Sequence, residues 1–92
     1  MNLETLNLFC EIARSGSFIE GARSAGVSQS AASQAMAHLE DDLSVLLIDR
    51  SIRPFKLTPE GGRFYEGVRG MLRQYEQLRG EIRAASAQIV GT

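Results

Sequence analysis

The sequence has little of what disulfide-bonded, metal-binding or membrane proteins require. Its 92 residues contain one cysteine, Cys10, and one histidine, His38, so no intramolecular disulfide can form and no metal site is expected. The longest aliphatic run covers residues 45–48 and is far too short to span a bilayer. The first residues lack the basic stretch of a signal peptide. We therefore expect a cytoplasmic protein that holds neither a metal nor another cofactor.

Features of a catalytic site are also missing from the sequence. No glycine-rich phosphate loop is evident, because the glycines after residue 60 are scattered along a helical pattern. Ser28 and Ser33 have no positioned base and acid beside them in the sequence, so nucleophilic catalysis has no support. The chain is therefore not expected to be an enzyme.

Positive charge is absent from a long central stretch. Residues 24–49 contain no lysine or arginine, whereas residues 44–73 carry six basic side chains against three carboxylates. The net charge of −1 argues against a purely electrostatic nucleic-acid binder. The local excess of positive charge instead indicates a partner surface within the later segment.

Apolar spacing and capping residues predict the first two helices. Residues 2–14 form one helix, with Asn2 as the N-cap and Gly16 in the left-handed position after its end. Ser17 and Glu20 form a capping box, in which each side chain accepts a hydrogen bond from the other residue's backbone N–H. The second helix ends at Gly26, since glycine favours a helix end.

A third helix begins at Ser28 and runs to Leu43, and a two-stranded ribbon is predicted after it. Residues 45–51 and 55–57 are rich in apolar residues, which favours strands. Residues 51–54 supply the turn between the strands. The tip of this ribbon is basic, with three cationic side chains around it: Arg50, Arg53 and Lys56.

A long fourth helix begins at Thr58, a good N-cap in front of Pro59. Its five glycines lower helix stability by roughly 1 kcal/mol each relative to alanine, so packing must hold the helix together. Apolar residues recur along it with the spacing of a heptad repeat. This spacing predicts a homodimer whose contact, here called the seam, is formed by Phe64, Val68, Met71, Tyr75, Leu78, Ile82, Ala85 and Ile89.

The second and third helices, joined by a tight turn at Gly26, match a helix-turn-helix. Short and amide side chains on the third helix allow its backbone to approach base edges in a DNA groove. A basic ribbon would add phosphate or minor-groove contacts. The alternative is a dimeric helical protein–protein interaction module that docks through the same polar face. The side chains expected to read DNA are Ser28, Gln29, Ser30, Ser33 and Gln34.

Short motifs follow one another along residues 3–75 and are specific as a set. They are Leu3-x-x-Leu6-x-x-Phe9, Gly16-Ser17-Phe18, Ala22, Val27-Ser28-Gln29-Ser30-Ala31-x-Ser33, Leu39-Glu40, Leu43, Leu47-x-x-Arg50 and Leu57-Thr58-x-x-Gly61. In this order the chain resembles the N-terminal DNA-binding domain of LysR-type transcriptional regulators.

The resemblance implies a mainly α fold with two parts. Residues 1–58 would form a winged helix-turn-helix, with the helix-turn-helix at residues 18–37 and the wing at residues 45–57. Residues 59–90 would form the linker helix that pairs two subunits on a dyad-symmetric operator in double-stranded DNA. The implied DNA contacts add His38 to the reading face and assign Arg50 and Arg53 to the wing.

Members of this family usually carry a C-terminal effector domain, which binds a small co-inducer and completes a tetramer. That domain is expected to be absent here, so a co-inducer is expected only for a full-length protein. The sequence also departs from the family at Gln34, where arginine is frequent, and at Ser44, where glycine is usual. Without a cation on the third helix, affinity per subunit should be weak, and pairing of two half-sites should matter more.

Overall fold

The computed structural model of the protein describes the backbone of residues 2–90 and the side chains of residues 2–87. Three helices form one end of the molecule, followed by a short antiparallel ribbon and a long helix. In chain order the elements are α1 (Leu3–Ser15), α2 (Phe18–Ala25), α3 (Gln29–Leu43), β1 (Ile48–Asp49), β2 (Lys56–Leu57) and α4 (Pro59–Val90). The predicted fold class, a winged helix-turn-helix followed by a long helix, is confirmed.

Side-chain caps begin the helices where the sequence predicts them. Asn2 Oδ1 accepts a hydrogen bond from the Thr5 N–H at 2.8 Å, and Gly16 ends α1 with a φ of 70°. Ser28 Oγ accepts from the Ala31 N–H at 3.0 Å at the start of α3. These bonds satisfy N–H groups that have no partner within a helix, so they set the helix boundaries locally.

The predicted capping box at the start of α2 is only half formed. Ser17 Oγ accepts from the Glu20 N–H at 3.2 Å, as expected. The Glu20 carboxylate instead pairs with Arg23 at 3.3 Å, one turn further along the helix. The Ser17 N–H donates to Ser15 Oγ at 3.4 Å, so the return bond from Glu20 is not needed.

The helices meet through one close backbone approach and an apolar core. A Cβ on Gly21 would lie 2.6 Å from the Cα of Ile12, so α1 and α2 can only touch here because position 21 is glycine. The Phe9 ring is fully buried and lies 5.5 Å from the Phe64 ring of α4, centre to centre. The buried apolar residues are Leu6, Leu8, Phe9, Ile12, Ala22, Ala32, Met36, Leu39, Leu47, Ile48 and Val68.

The wing has much shorter strands than the sequence predicts. Only Ile48 and Asp49 pair with Leu57 and Lys56, in antiparallel register, and residues 45–47 are irregular. The N–H groups of Leu47 and Ile48 donate to the Glu40 carboxylate of α3, at 2.7 Å and 3.1 Å, instead of to a neighbouring strand. The strand expected over residues 45–51 is therefore formed only at Ile48 and Asp49, because a side chain of α3 takes the backbone donors at positions 47 and 48.

The long helix α4 is packed at its start and extends away from the core. Thr58 Oγ1 caps it by accepting from the Gly61 N–H at 2.9 Å. Phe64 and Val68 contact the core, whereas the side chains of residues 73–87 are exposed. The helix has 32 residues, so it is about 48 Å long and accounts for most of the longest dimension, 58 Å.

Candidate nucleic-acid interface

The N-terminal half of α3 presents an uncharged polar surface. Gln29, Ser30, Ser33 and Gln34 are all exposed, while Ala32 and Met36 of the same helix are buried. The capping role of Ser28 uses its hydroxyl oxygen as an acceptor, so its O–H is still able to donate to a ligand. Small side chains and amides on an exposed helix face suit close approach to base edges.

Part of this surface faces the wing across a groove of about 440 Å³. Gln29 and Ser33 line the α3 side of the groove, and Arg50 and Arg53 line the wing side. The structure therefore brings together four residues that the sequence indicates separately for base reading and for phosphate contact. Phe18 and Phe55 form an aromatic part of the same groove.

The other predicted site residues lie outside this groove. Helical spacing directs Ser30 and Gln34 straight outward, away from the buried stripe of α3. His38, one turn after Gln34, lies on the flank of α3 that points away from the wing. Lys56 is exposed on β2. Their contacts to DNA stay predictions.

The basic side chains of the wing differ in their partners. Arg53 and Lys56 are exposed and form no ion pair with another residue that the structure describes. Arg50, in contrast, forms an ion pair, because its Nη1 donates a hydrogen bond to Glu40 Oε1 at 3.1 Å. Hydrogen bonds from the side chain and backbone of Ser51 lower the pKa of Asp49, which keeps one negative charge beside the wing turn.

Sequence reasoning missed the role of Glu40. Its place near the helix C-terminus, where the dipole disfavours acids, indicates only an end that points away from a polyanion. In the structure its side chain is 8% exposed and contacts residues of the wing. An acidic residue at this unfavourable position is itself a sequence signal that hydrogen-bond donors elsewhere in the fold stabilise its charge.

The predicted seam on α4 divides into two parts. Val68 is 3% exposed and Phe64 is half-buried, since both pack against the core of their own chain. Val68 therefore has little surface left for a partner, and its part in dimerisation stays a prediction. The remaining large seam residues are exposed, from 46% to 62%: Met71, Tyr75, Leu78 and Ile82. Ala85 is also exposed, and the side chain of Ile89 lies outside the described residues.

The described part of the chain offers no metal site, no reactive thiol and no membrane-spanning helix. Among residues 2–87, no group of three histidine, cysteine or acidic side chains is arranged to hold a metal ion. Cys10 is half-buried, and burial raises the pKa of its thiol, so the reactive thiolate is disfavoured at neutral pH. No helix within the described range has the length and apolarity to cross a membrane.

Three packed helices, a tight turn between α2 and α3 and a two-stranded wing define the winged helix-turn-helix class. A sequence model described as "Bacterial regulatory helix-turn-helix protein, lysR family" matches residues 3–62. The chain therefore belongs to the LysR family of bacterial regulatory helix-turn-helix proteins. It is 34% identical to the transcriptional activator AaeR of Escherichia coli K12 over 90 residues, which are 98% of this chain and 29% of AaeR. The chain thus spans less than a third of that relative.

Solved structures agree with this assignment over the whole fold. The BenM_DBD/catB site 1 DNA complex matches with a TM-score of 0.91 and 29% identity, over 95% of this chain and 98% of that one. The CbnR_DBD–DNA complex matches with a TM-score of 0.85 and 34% identity, over 94% of this chain and 99% of that one. Both similar structures were determined with DNA bound.

Proposed function

We propose that this chain is a sequence-specific DNA-binding unit of a LysR-type transcriptional regulator, and that it acts by binding and not by catalysis. The observation that carries the proposal is the groove in which Gln29 and Ser33 of α3 face Arg53 of the wing. Because bacterial DNA lies in the cytoplasm, the proposal includes a cytoplasmic location. The solved DNA complexes of similar chains support DNA as the partner.

Base reading would fall to α3 and phosphate contact to the wing. Gln29 is able to form a bidentate pair with adenine, and Ser33 donates or accepts according to the base it meets. Ser28, Ser30, Gln34 and His38 would extend this face in the major groove. Arg53 and Lys56 would bind phosphates or the adjacent minor groove, and their charge is not neutralised by a described carboxylate.

A homodimer through the exposed part of α4 completes the proposal. A helix with glycines at positions 67, 70 and 80, and with exposed side chains throughout residues 73–87, is marginal in water. The apolar row from Met71 to Ile82 would be covered by the same row of a second chain. Two weakly binding α3 helices at a fixed separation would then combine their free energies on an inverted repeat.

The test is selection of bound duplexes from a random DNA pool at low salt, followed by sequencing. Enrichment of an inverted repeat by the wild-type chain supports specific reading by a dimer. Leu78→Asp serves as the variant that should lose the repeat, because its monomer holds a single half-site. Equal retention of all sequences, also by a covalently linked dimer, would contradict the proposal and favour the interaction module.

A further inference from the structure

A buried carboxylate joins the recognition helix to the wing. Glu40 lies in the last turn of α3, and its Oε2 accepts hydrogen bonds from the backbone N–H groups of Leu47 and Ile48, at 2.7 Å and 3.1 Å. Its Oε1 accepts from Arg50 at 3.1 Å. All three donors belong to the segment that enters the wing, so the carboxylate holds that segment against the end of α3.

Arg50 extends this connection to α2 and to the second strand of the wing. Its guanidinium carbon lies 5.3 Å from the centre of the Phe18 ring, at the start of α2. The Phe18 ring meets the Phe55 ring at a centroid distance of 5.4 Å and an angle of 66°. Glu40, Arg50, Phe18 and Phe55, here called the clasp, therefore link α2, α3 and both sides of the wing.

We propose that the clasp is a positioning device, which sets the distance between the wing and the base-reading face of α3. In this role Arg50 acts through the wing and is not a phosphate ligand. Its guanidinium is shared between a carboxylate and a ring face, whereas Arg53, three residues later, has no such partners among the described residues. The inference rests on the proposed function, because the groove between Gln29 and Arg53 is taken as the DNA site.

Glu40→Gln tests the clasp with little change of shape. The amide oxygen of glutamine still accepts from the Leu47 and Ile48 N–H groups, but its NH2 group faces Arg50 and cannot accept from it, so the contact with Arg50 is lost. Removing a negative charge cannot weaken binding to a polyanion by Coulomb's law. A loss of affinity for the selected operator, about tenfold, with unchanged or tighter binding to a random duplex, would therefore report a displaced wing.

Arg50→Lys is the second variant, and it keeps the positive charge while it removes the flat guanidinium. A phosphate contact would survive this change, whereas the flat contact of the guanidinium with the Phe18 ring would be lost, so we expect a loss of operator affinity in the same direction as that of Glu40→Gln. The matched control is Glu20→Gln on α2, whose exposed carboxylate pairs with Arg23 at 3.3 Å, and which should bind the operator like the wild type. Wild-type operator affinity in both clasp variants would overturn the proposal.

A double-mutant cycle with Arg53→Ala measures whether the clasp acts through the wing. If it does, the loss caused by Arg53→Ala becomes smaller in the Glu40→Gln background, because the displaced wing no longer presents Arg53 to DNA. Fully additive losses would contradict the mechanism. The cycle uses both the selected operator and a random duplex, so that a general loss of affinity is separated from a loss of preference.

A measurement on the protein without DNA tests whether the clasp forms, independently of DNA binding. NMR should show ring-current-shifted signals of Phe18 and Phe55 and slow exchange of the Ile48 amide, and Glu40→Gln should shift the ring signals toward unstructured values. Unchanged ring signals would overturn the clasp. A wild-type chain with intact ring signals but no operator preference would instead refute the proposed function, and with it the role of the clasp toward DNA.

Discussion

Gly61 of α4 lies directly against the backbone carbonyl of Leu47, so closely that a Cβ at position 61 would be 2.0 Å from that oxygen. The Leu47 carbonyl also accepts from the Thr58 N–H at 3.0 Å, and Thr58 Oγ1 donates to the Leu46 carbonyl at 2.6 Å. The start of the long helix is therefore joined to the entry of the wing by backbone contacts that leave no room for a side chain.

Gly61→Ala should destabilise the fold by about 1–3 kcal/mol, because the added methyl group meets backbone that cannot move aside alone. Gly62→Ala is the matched control, since a Cβ there meets nothing within 4 Å. It should stabilise the helix by about 0.5–1 kcal/mol. Denaturant unfolding at one fixed protein concentration checks both changes, and a Gly61→Ala chain as stable as Gly62→Ala would contradict the close approach.

Ser44→Gly should stabilise the chain by about 0.5–1 kcal/mol. Ser44 ends α3 in the left-handed conformation, with a φ of 55°, where a Cβ is strained and glycine is not. Ser44→Ala is the control, because it removes the hydroxyl group but keeps the Cβ. Thermal unfolding should therefore show a gain for glycine and none for alanine, and equal gains would point to the hydroxyl group instead.

Leu78→Asp and Ile82→Asp should each convert the proposed dimer to a monomer without loss of the three-helix core. Both side chains are more than half exposed in the single chain, so a charge there meets a partner and not the core. Ala84→Asp, an exposed position that helical spacing directs to another face, should leave the dimer intact. Sedimentation measures the mass, and circular dichroism measures the remaining helix. Dimers that survive both seam changes would put the contact elsewhere.

Val68→Asp should behave differently from the two seam variants above, because Val68 is buried in the core of its own chain. An unpaired charge at this position should lower the stability of the whole fold by more than about 3 kcal/mol. Denaturant unfolding of the Val68→Asp and Leu78→Asp chains therefore tests where the intrachain core ends along α4.

Gln29→Ala should weaken operator binding by about 1–3 kcal/mol and relax the choice of base at one position of each half-site. Gln29 is exposed and lines the groove, so its removal should not affect folding. Repeating the duplex selection with the variant gives the base preference directly. An equal loss of affinity on every sequence would refute a base-reading role for Gln29.

Arg53→Ala should lower the slope of log affinity against log salt concentration by about one unit and leave the base preference unchanged. The control is Arg79→Ala on the projecting part of α4, where Arg79 pairs with Glu76 at 3.5 Å. Titration of one duplex at several salt concentrations gives both slopes. A slope unaltered by Arg53→Ala would exclude a phosphate contact at the wing tip.

The boundaries of the helices and the polar face of α3 could be predicted from the sequence, since the signals are local. A cap bond joins residues three apart, as at Asn2 or Ser28, and a buried stripe follows from helical spacing alone. Gly16 and Gly26 mark helix ends for the same reason, because glycine adopts the left-handed conformation without strain from a Cβ.

Three features depend on contacts between distant residues and could not be predicted in this way. Glu40 finds its partners seven to ten residues later, and the wing strands are short because that carboxylate takes their backbone donors. The heptad spacing of α4 is continuous, yet Val68 packs inward and Met71 is exposed. Periodicity specifies which face of a helix is apolar. Whether the same chain covers that face depends on how far α1 extends beside α4, and α1 begins at Leu3, near Tyr75.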